Sequence, residues 1–491
     1  MILAQWQENP RPAKLSEELE NGIVRCHLSP RNCKIRPGKY GFCMVRANQN
    51  GKLVTLNYGR SVHATEETIE TEAVFHYAPG EPILSMGNIG CMLNCDYCHN
   101  WKTSQARFVA DGDVWNYTPE QVVEIAKSHG IRVISWTYND PVVWHEFVTE
   151  TAALARQEGM INLFKSAFFI SPEAIEELLP VIDIFSISVK SMDPKYYRRL
   201  TKGWIEPVLE GTKQVYAAGK HVEVSTLMVT DLSDNDDTAR AISTFVGEQL
   251  DATVPVHFVR FHPDYKMTDS RRTPIDRLES ARATALDMGI RNVYLGNVYD
   301  NDATNTTCWN CGILQVTRYG LNARLVGVNS TAECTSCGAP TGMKLLPPAP
   351  RPTTVDSLPD QYQVADFTWH GDIRSLHIQL LNEGTESQVV YQRRFGDPAA
   401  GTAWTPLPLA PGESYRFAAA KATPDEHGVQ VAISPEGVKC SLHEVFDRAH
   451  FPTVEVATGA LNEDVTPFPS YAVTAPNRGA TFLDITEASP S

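Results

Sequence analysis

The sequence has no apolar run approaching the roughly 18–20 residues that a membrane-spanning helix needs, which excludes that class of membrane protein. It also lacks an export signal: Met1 to Pro10 carries Gln, Glu and Asn where a signal peptide has an apolar core, so the expected compartment is the cytoplasm. Positive charge is in short supply. Lys and Arg number 43 against 58 Asp and Glu, and the net charge of −15 argues against a broad nucleic-acid surface, leaving at most a local basic channel. No internal repeat is present beyond a strand–helix rhythm. What remains is an ordinary globular composition, 42% hydrophobic and 21% charged, on a chain of 491 residues, longer than one hydrophobic core usually serves.

The eleven cysteines are clustered as Cys26/Cys33/Cys43, Cys91/Cys95/Cys98 and Cys308/Cys311/Cys334/Cys337, with Cys440 alone. In a reducing compartment, short-spaced cysteines read as metal sites rather than disulfides.

From about residue 82 to 298 strands and helices alternate. Strand candidates are Glu81–Gly87, Ile131–Tyr138, Ile161–Ser166, Ile182–Val189, Val222–Met228, Val256–Phe261 and Val293–Leu295. Between them, Thr118-Pro119-Glu120-Gln121 has capping-box spacing with Pro at the first helical position, and Gly130 closes that helix. A further helix runs from Trp144, and Ser171-Pro172 opens another. This rhythm indicates right-handed parallel βαβ units, hence an α/β fold with a partial or full β/α barrel; a doubly wound open sheet is the alternative. Chemistry on a barrel gathers at the C-terminal strand ends. Those ends carry Cys91, Asn139-Asp140, Ser166, Lys190, and Arg260 with His262. Pro347–Pro359 reads as a proline-rich linker. Beyond it, Leu376/Ile378/Leu380, Tyr415/Phe417 and Val429/Val431/Ile433 alternate at strand period and predict a small β-rich domain. The expected division is 1–80, a cysteine-containing segment; 81–300, the barrel; 301–346, a four-cysteine segment; 347–359, the linker; 360–460, the β-rich domain; and 461–491, a loosely structured tail.

Cys91, Cys95 and Cys98 have the spacing C-x3-C-x2-C with Tyr97 before the last cysteine. A cubane cluster takes four ligands, so three thiolates on one loop leave one iron open. That iron can chelate the amino and carboxylate groups of S-adenosylmethionine (SAM) and pass an electron to its sulfonium, giving a 5′-deoxyadenosyl radical. A zinc loop or buried free thiols is the plainer alternative. The chemistry requires a one-electron reductant such as flavodoxin or ferredoxin.

The stretch from Cys26 to Met343 resembles the AmmeMemoRadiSam-type radical SAM proteins, relatives of pyruvate formate-lyase activating enzyme. The similarity is carried by Cys26-His27-Leu28-Ser29-Pro30-Arg31-Asn32-Cys33, Gly41-Phe42-Cys43, the cluster loop continuing into His99-Asn100-Trp101, Tyr138-Asn139-Asp140-Pro141, Arg260-Phe261-His262-Pro263-Asp264-Tyr265 and Tyr294-Leu295-Gly296-Asn297-Val298. It implies a radical SAM-type partial barrel, one catalytic 4Fe–4S cluster and SAM, and it covers none of the C-terminal domain. It places Tyr97 near the adenine and Asn139 with Asp140 at the SAM amino group. Ser166, Lys190 and His257 fall where relatives contact the ribose, carboxylate or methionine part. The family usually has Glu where Asp140 stands. Ser166-Ala167-Phe168 replaces a Ser/Thr-Asn-Gly turn, and Ser188-Val189-Lys190 replaces an Asp-Leu-Lys element.

Cys308-x2-Cys311 and Cys334-x2-Cys337, 22 residues apart, are two knuckles of the zinc-ribbon kind, suited to tetrahedral Zn2+. A second iron site, as an auxiliary cluster or rubredoxin-type iron, uses the same ligands. For Cys26, Cys33 and Cys43, a metal site with His27 and buried free thiols both stay open; the family often has a fourth cysteine where this chain has Ser29. The functional expectation is hydrogen abstraction from a protein, peptide or small-molecule substrate, with the β-rich domain as a docking module. The alternative is a non-catalytic iron–sulfur redox or metal-sensing protein. A zinc-ribbon nucleic-acid binder fits the acidic composition poorly, and no cobalamin-binding domain is evident.

Overall fold

A computed structural model describes residues 5–8, 10–110, 114–298, 302–347, 354–359, 361–368, 375–396, 403–420, 426–433, 438–446 and 456–459. Part of the expected linker and the whole expected tail lie outside the described residues.

Seven strands form one parallel array: β2 (Pro82–Gly87), β3 (Val133–Thr137), β4 (Ile161–Ser166), β5 (Ile184–Ser188), β6 (His221–Met228), β7 (Val256–Arg260) and β8 (Val293–Gly296). They pair in sequence order, and β1 (Thr65–Thr68) adds antiparallel to β2, so the array is an open arc. Six helices connect them: α1 (Pro119–Ser128), α2 (His145–Gln157), α3 (Pro172–Leu178), α4 (Glu206–Ala217), α5 (Asp236–Gln249) and α6 (Ile275–Asp287). The partial β/α barrel read from the sequence is the fold.

Local chemistry explains where the helices start. The Thr118 hydroxyl accepts from the Gln121 amide at 3.2 Å while the Gln121 side chain accepts from the Thr118 amide at 2.8 Å, with Pro119 first in the helix. Ser171 caps α3 ahead of Pro172, and Asn235 caps α5 with Asp236 and Asp237 in its first turn, against the positive helix end.

The lumen is layered. At the strand starts Ile83, Val133, Leu163 and Ile184 pack with Ile69 and Val74 from the segment preceding β2, all without exposure. Above this apolar floor lies a polar layer. Glu72 accepts from Ser135 at 2.9 Å and Thr137 at 2.8 Å, and the Lys165 ammonium donates to Ser186 at 3.0 Å and Ser225 at 3.2 Å.

The β-rich C-terminal region has a five-stranded sheet, and beside it Ser414–Ala420, Ser375–Asn382 and Val438–Phe446. These three strands do not stand apart from the barrel. Ser414–Ala420 pairs with β1, Arg416 opposite Thr65 and Phe417 opposite Glu66, so the barrel sheet runs on into the C-terminal region. The Tyr415 ring stacks on His129 at 3.7 Å, and its hydroxyl donates to Glu66.

Candidate radical site

β2 delivers the chain through Asn88 and Ile89 to Gly90, whose φ of +93° is open to glycine. A β-carbon there would lie 2.9 Å from both Val45 methyls and 3.3 Å from the Cys43 carbonyl. The loop that follows is held from three sides. Arg31 donates to the Met92 carbonyl at 2.8 Å. The Asn94 and Asp96 amides donate to the carbonyls of Thr201 (3.0 Å) and Leu200 (2.9 Å), which belong to a π-turn, Tyr197–Thr201, after β5. From beyond β7, the Lys266 amide donates to the Asp96 carbonyl at 3.0 Å, and Trp101 stacks on Tyr265.

The three thiols are partly exposed, and their surroundings favour the protonated form until a metal displaces the proton. Burial pushes the Cys95 thiol up to about 12 and Cys98 above its ordinary value; burial and the nearby Asp140 carboxylate hold Cys91 well above. Lys190 pulls Cys95 and Cys98 the other way, and the Ser104 hydroxyl lies 3.3 Å from the Cys98 sulfur. Such thiols ionise when a metal takes the place of the proton, and three of them on one clamped loop are a donor set that fits an iron–sulfur cluster.

Tyr97, Asp140, Ser166 and Lys190 gather round this loop. Tyr97 is buried beside Cys95, against Tyr196, Leu200, Val229 and Phe261. Asp140, 3% exposed, accepts from the Ser166 hydroxyl at 2.7 Å, the Ala167 amide at 2.9 Å and, as cap of the turn Pro141–Trp144, the Val142 amide at 3.3 Å. Burial raises its pKa against those hydrogen bonds and the Lys190 charge. Asn139 turns to the Asn88 carbonyl and the Thr103 hydroxyl. His257 is not brought to the mouth. It is the second residue of β7, and its Nε2 lies 2.7 Å from Glu223, a buried carboxylate that also binds His221 at 3.0 Å and the amides of Phe75 and His76.

Residues 88–246 match the Radical SAM superfamily. An uncharacterized protein of Methanocaldococcus jannaschii is 38% identical over 330 residues, 67% of this chain and 98% of that protein. The chain belongs to the radical SAM superfamily. Escherichia coli pyruvate formate-lyase 1-activating enzyme is 26% identical over 163 residues, covering 32% of this chain and 65% of that enzyme. Among solved structures, a domain of pyruvate-formate lyase-activating enzyme from Bacteroides vulgatus is similar with a TM-score of 0.30 at 13% identity, over 33% of this chain and 98% of that one.

Within this radical SAM protein, sequence reasoning missed Arg31, the π-turn and Tyr197. The Tyr197 phenol is fully buried near Cys95, Asp140 and Cys91, with no hydrogen-bond partner among the described residues. A π-turn carries no sequence signal, although such turns recur at functional sites.

The four later cysteines form a separate centre on a small three-stranded sheet. Cys308 and Cys337 sulfurs are 3.7 Å apart and Cys311 and Cys334 sulfurs 3.6 Å apart. A tetrahedron with metal–sulfur bonds of about 2.3 Å has edges of about 3.8 Å, whereas a disulfide needs about 2.05 Å. The quartet fits one metal ion. The Asn310 side chain and the Ala339 amide pull the Cys337 thiol below its ordinary value, while the neighbouring Cys311 thiol is raised. No helix among the described residues is long and apolar enough to cross a membrane.

Proposed function

We propose that this protein reductively cleaves SAM at a 4Fe–4S cluster held by Cys91, Cys95 and Cys98, to abstract hydrogen from a protein, peptide or small-molecule substrate. The observation that carries the reading is the trio itself: three half-buried thiols on one clamped loop at the C-terminal end of the first barrel strand, beside the Lys190 cation. A cluster with one open iron supplies one-electron cleavage of a bound sulfonium and a 5′-deoxyadenosyl radical. The chain's own groups hold and orient. Lys190 offsets thiolate charge, Tyr97 packs the side of the loop next to Cys95, and Asp140 offers its remaining lone pair to the SAM ammonium with Ser166 and Asn139 alongside.

In this reading residues 81–300 are the catalytic unit, the quartet at 301–346 is a structural zinc or iron site, and residues 360–460 dock substrate or partner. Flavodoxin or ferredoxin supplies the electron, and the eleven unpaired cysteines favour the cytoplasm. The test is formation of 5′-deoxyadenosine by the anaerobically reconstituted protein with a low-potential reductant. Cys91→Ala, Cys95→Ala and Cys98→Ala should each abolish it. Full cluster content with no SAM cleavage would leave the non-catalytic redox or sensing role in its place.

A further inference from the structure

Cys26, Cys33 and Cys43 take no part in the reading above. Cys26 and Cys33 face each other as partners in the pairing of Val24–Cys26 with Cys33–Ile35, and Cys43 enters from the loop that follows. All three are free, and all three line one cleft that opens to solvent. Arg31, Arg46, Ser29 and Met92 are also in its wall, and Met92 lies between the catalytic Cys91 and Cys95.

We propose that this cleft holds a second iron–sulfur cluster, ligated by Cys26, Cys33 and Cys43.

The spacing speaks for a cluster over a single ion. Among the described residues, only the Cys308/Cys311/Cys334/Cys337 quartet brings its donor atoms within 4.8 Å of one another, as a lone ion requires. The N-terminal trio is wider, and so is the trio Cys91/Cys95/Cys98. A cubane imposes that width, because each cysteine binds a different iron. Backbone amides lie near the sulfurs: that of Phe42 near Cys33, and those of Val45 and Arg46 near Cys43. Hydrogen bonds to sulfur are a principal means by which proteins stabilise and tune such clusters.

Charge points the same way. The Arg46 Nη1 is 3.7 Å from the Cys26 sulfur, although its guanidinium is already paired with Glu146, so the unmatched charge is that of Arg31. Arg31 donates to two carbonyls, of Met92 and Lys202, and among the described residues no carboxylate lies within 4.0 Å of it. Its guanidinium is felt by Cys33 and Cys43 on one side and by Cys91 and Cys95 on the other. An anionic thiolate-ligated cluster supplies the counter-charge that reduced thiols do not. Ser29 is the one hydroxyl in the wall and the side-chain oxygen available to a fourth iron.

The test counts acid-labile sulfide in the full chain after anaerobic reconstitution with ferrous iron and sulfide. Sulfide separates a cluster from an ion at the four-cysteine site, which carries none, and it is read without SAM turnover, so failure here is distinct from failure of the proposed activity. Two cubanes give about eight sulfides per chain. The Cys91→Ala/Cys95→Ala/Cys98→Ala variant should keep about four, and adding Cys26→Ala, Cys33→Ala and Cys43→Ala should remove them. The Cys26→Ala/Cys33→Ala/Cys43→Ala variant alone should also keep about four, which guards against one triple variant failing to fold. About four sulfides in the wild-type protein with none in the catalytic-loop variant, or zinc without sulfide at the N-terminal trio, overturns the proposal.

Discussion

Replacing Asp140 separates its two candidate roles, because the structure makes it a cap as well as a candidate SAM contact. One carboxylate oxygen serves the Ser166 hydroxyl and the Val142 amide, and the other the Ala167 amide. Asp140→Ala strands two buried amides, and at about 1–3 kcal/mol for each unsatisfied group the fold should lose about 2–6 kcal/mol whatever SAM does. Asp140→Asn is milder: its amide oxygen can keep Ser166 and Val142 while its NH2 meets the Ala167 amide, so one buried amide is stranded rather than two and about 1–3 kcal/mol of stability goes. Losing a hydrogen bond between charged groups costs about 1.5–3 kcal/mol, or one to two decades of SAM affinity, and this loss should appear in the Asn variant with about half the fall in stability of the Ala variant. Asp140→Glu restores the family's usual length but adds a methylene at a 3% exposed site, which costs about 1–3 kcal/mol of overpacking, so it should not be the mildest change. The assay is SAM affinity by equilibrium dialysis of the reconstituted protein beside thermal unfolding. Unchanged SAM affinity in Asp140→Asn, at full cluster content, removes Asp140 from the site and leaves it a cap.

Gly90→Ala should lower reconstituted cluster content and stability, since the new β-carbon meets Val45 at 2.9 Å. Gly90→Ala/Val45→Ala should recover the steric part and leave the backbone part, about 1–2 kcal/mol for a left-handed φ; a single variant indistinguishable from wild type in iron, sulfide and melting refutes the close approach. Cys308→Ser or Cys337→Ser should release the bound ion and cost several kcal/mol of stability while the catalytic cluster's spectrum persists, and unchanged metal content in both by mass spectrometry removes the site. His76 is held at a pKa of about 3 by burial, against the pull of Glu223, so its neutral form belongs to the folded state. Its contribution is therefore present above pH 6.5 and lost as pH falls from there toward 3, and His76→Gln should flatten the acid limb of stability against pH; an identical slope in variant and wild type counts against the assignment.

The β/α rhythm was legible because buried parallel strands read as short apolar runs and because α1 and α3 announce themselves with Thr118-Pro119 and Ser171-Pro172. The convergence of Cys308, Cys311, Cys334 and Cys337 was legible because a single metal ion needs ligands of fixed type at short spacing. Tertiary choices were not. Phe168 takes φ of +57°, with its amide on the Ser166 hydroxyl, where the family has glycine. The ring is buried against Phe164 and Phe185, and packing worth about 3–5 kcal/mol for such a side chain exceeds about 1–2 kcal/mol of backbone strain. The depth of His257 depends on Glu223, a partner 34 residues away, and the pairing of Arg416 with Thr65 joins segments with no local signature of each other.

The residues before the barrel are part of the site's construction. The segment from Ile69 to His76 runs under the strands: Ile69 and Val74 complete the apolar floor, Glu72 enters the lumen to bind Ser135 and Thr137, and the Phe75 and His76 amides fix Glu223. Earlier still, Val45 meets Gly90 and Arg31 grips Met92, so the same N-terminal region closes one end of the barrel and braces the cysteine loop at the other. With the floor filled, the lumen's polar layer faces the loop side. On that side the C-terminal strand Ser414–Ala420 lies along β1, close enough for Arg416 to be felt by Tyr138 at the end of β3. The C-terminal region thus lies along the edge strand of the barrel and near Tyr138, and its position rests on main-chain pairing and the Tyr415–His129 stack rather than on the linker alone.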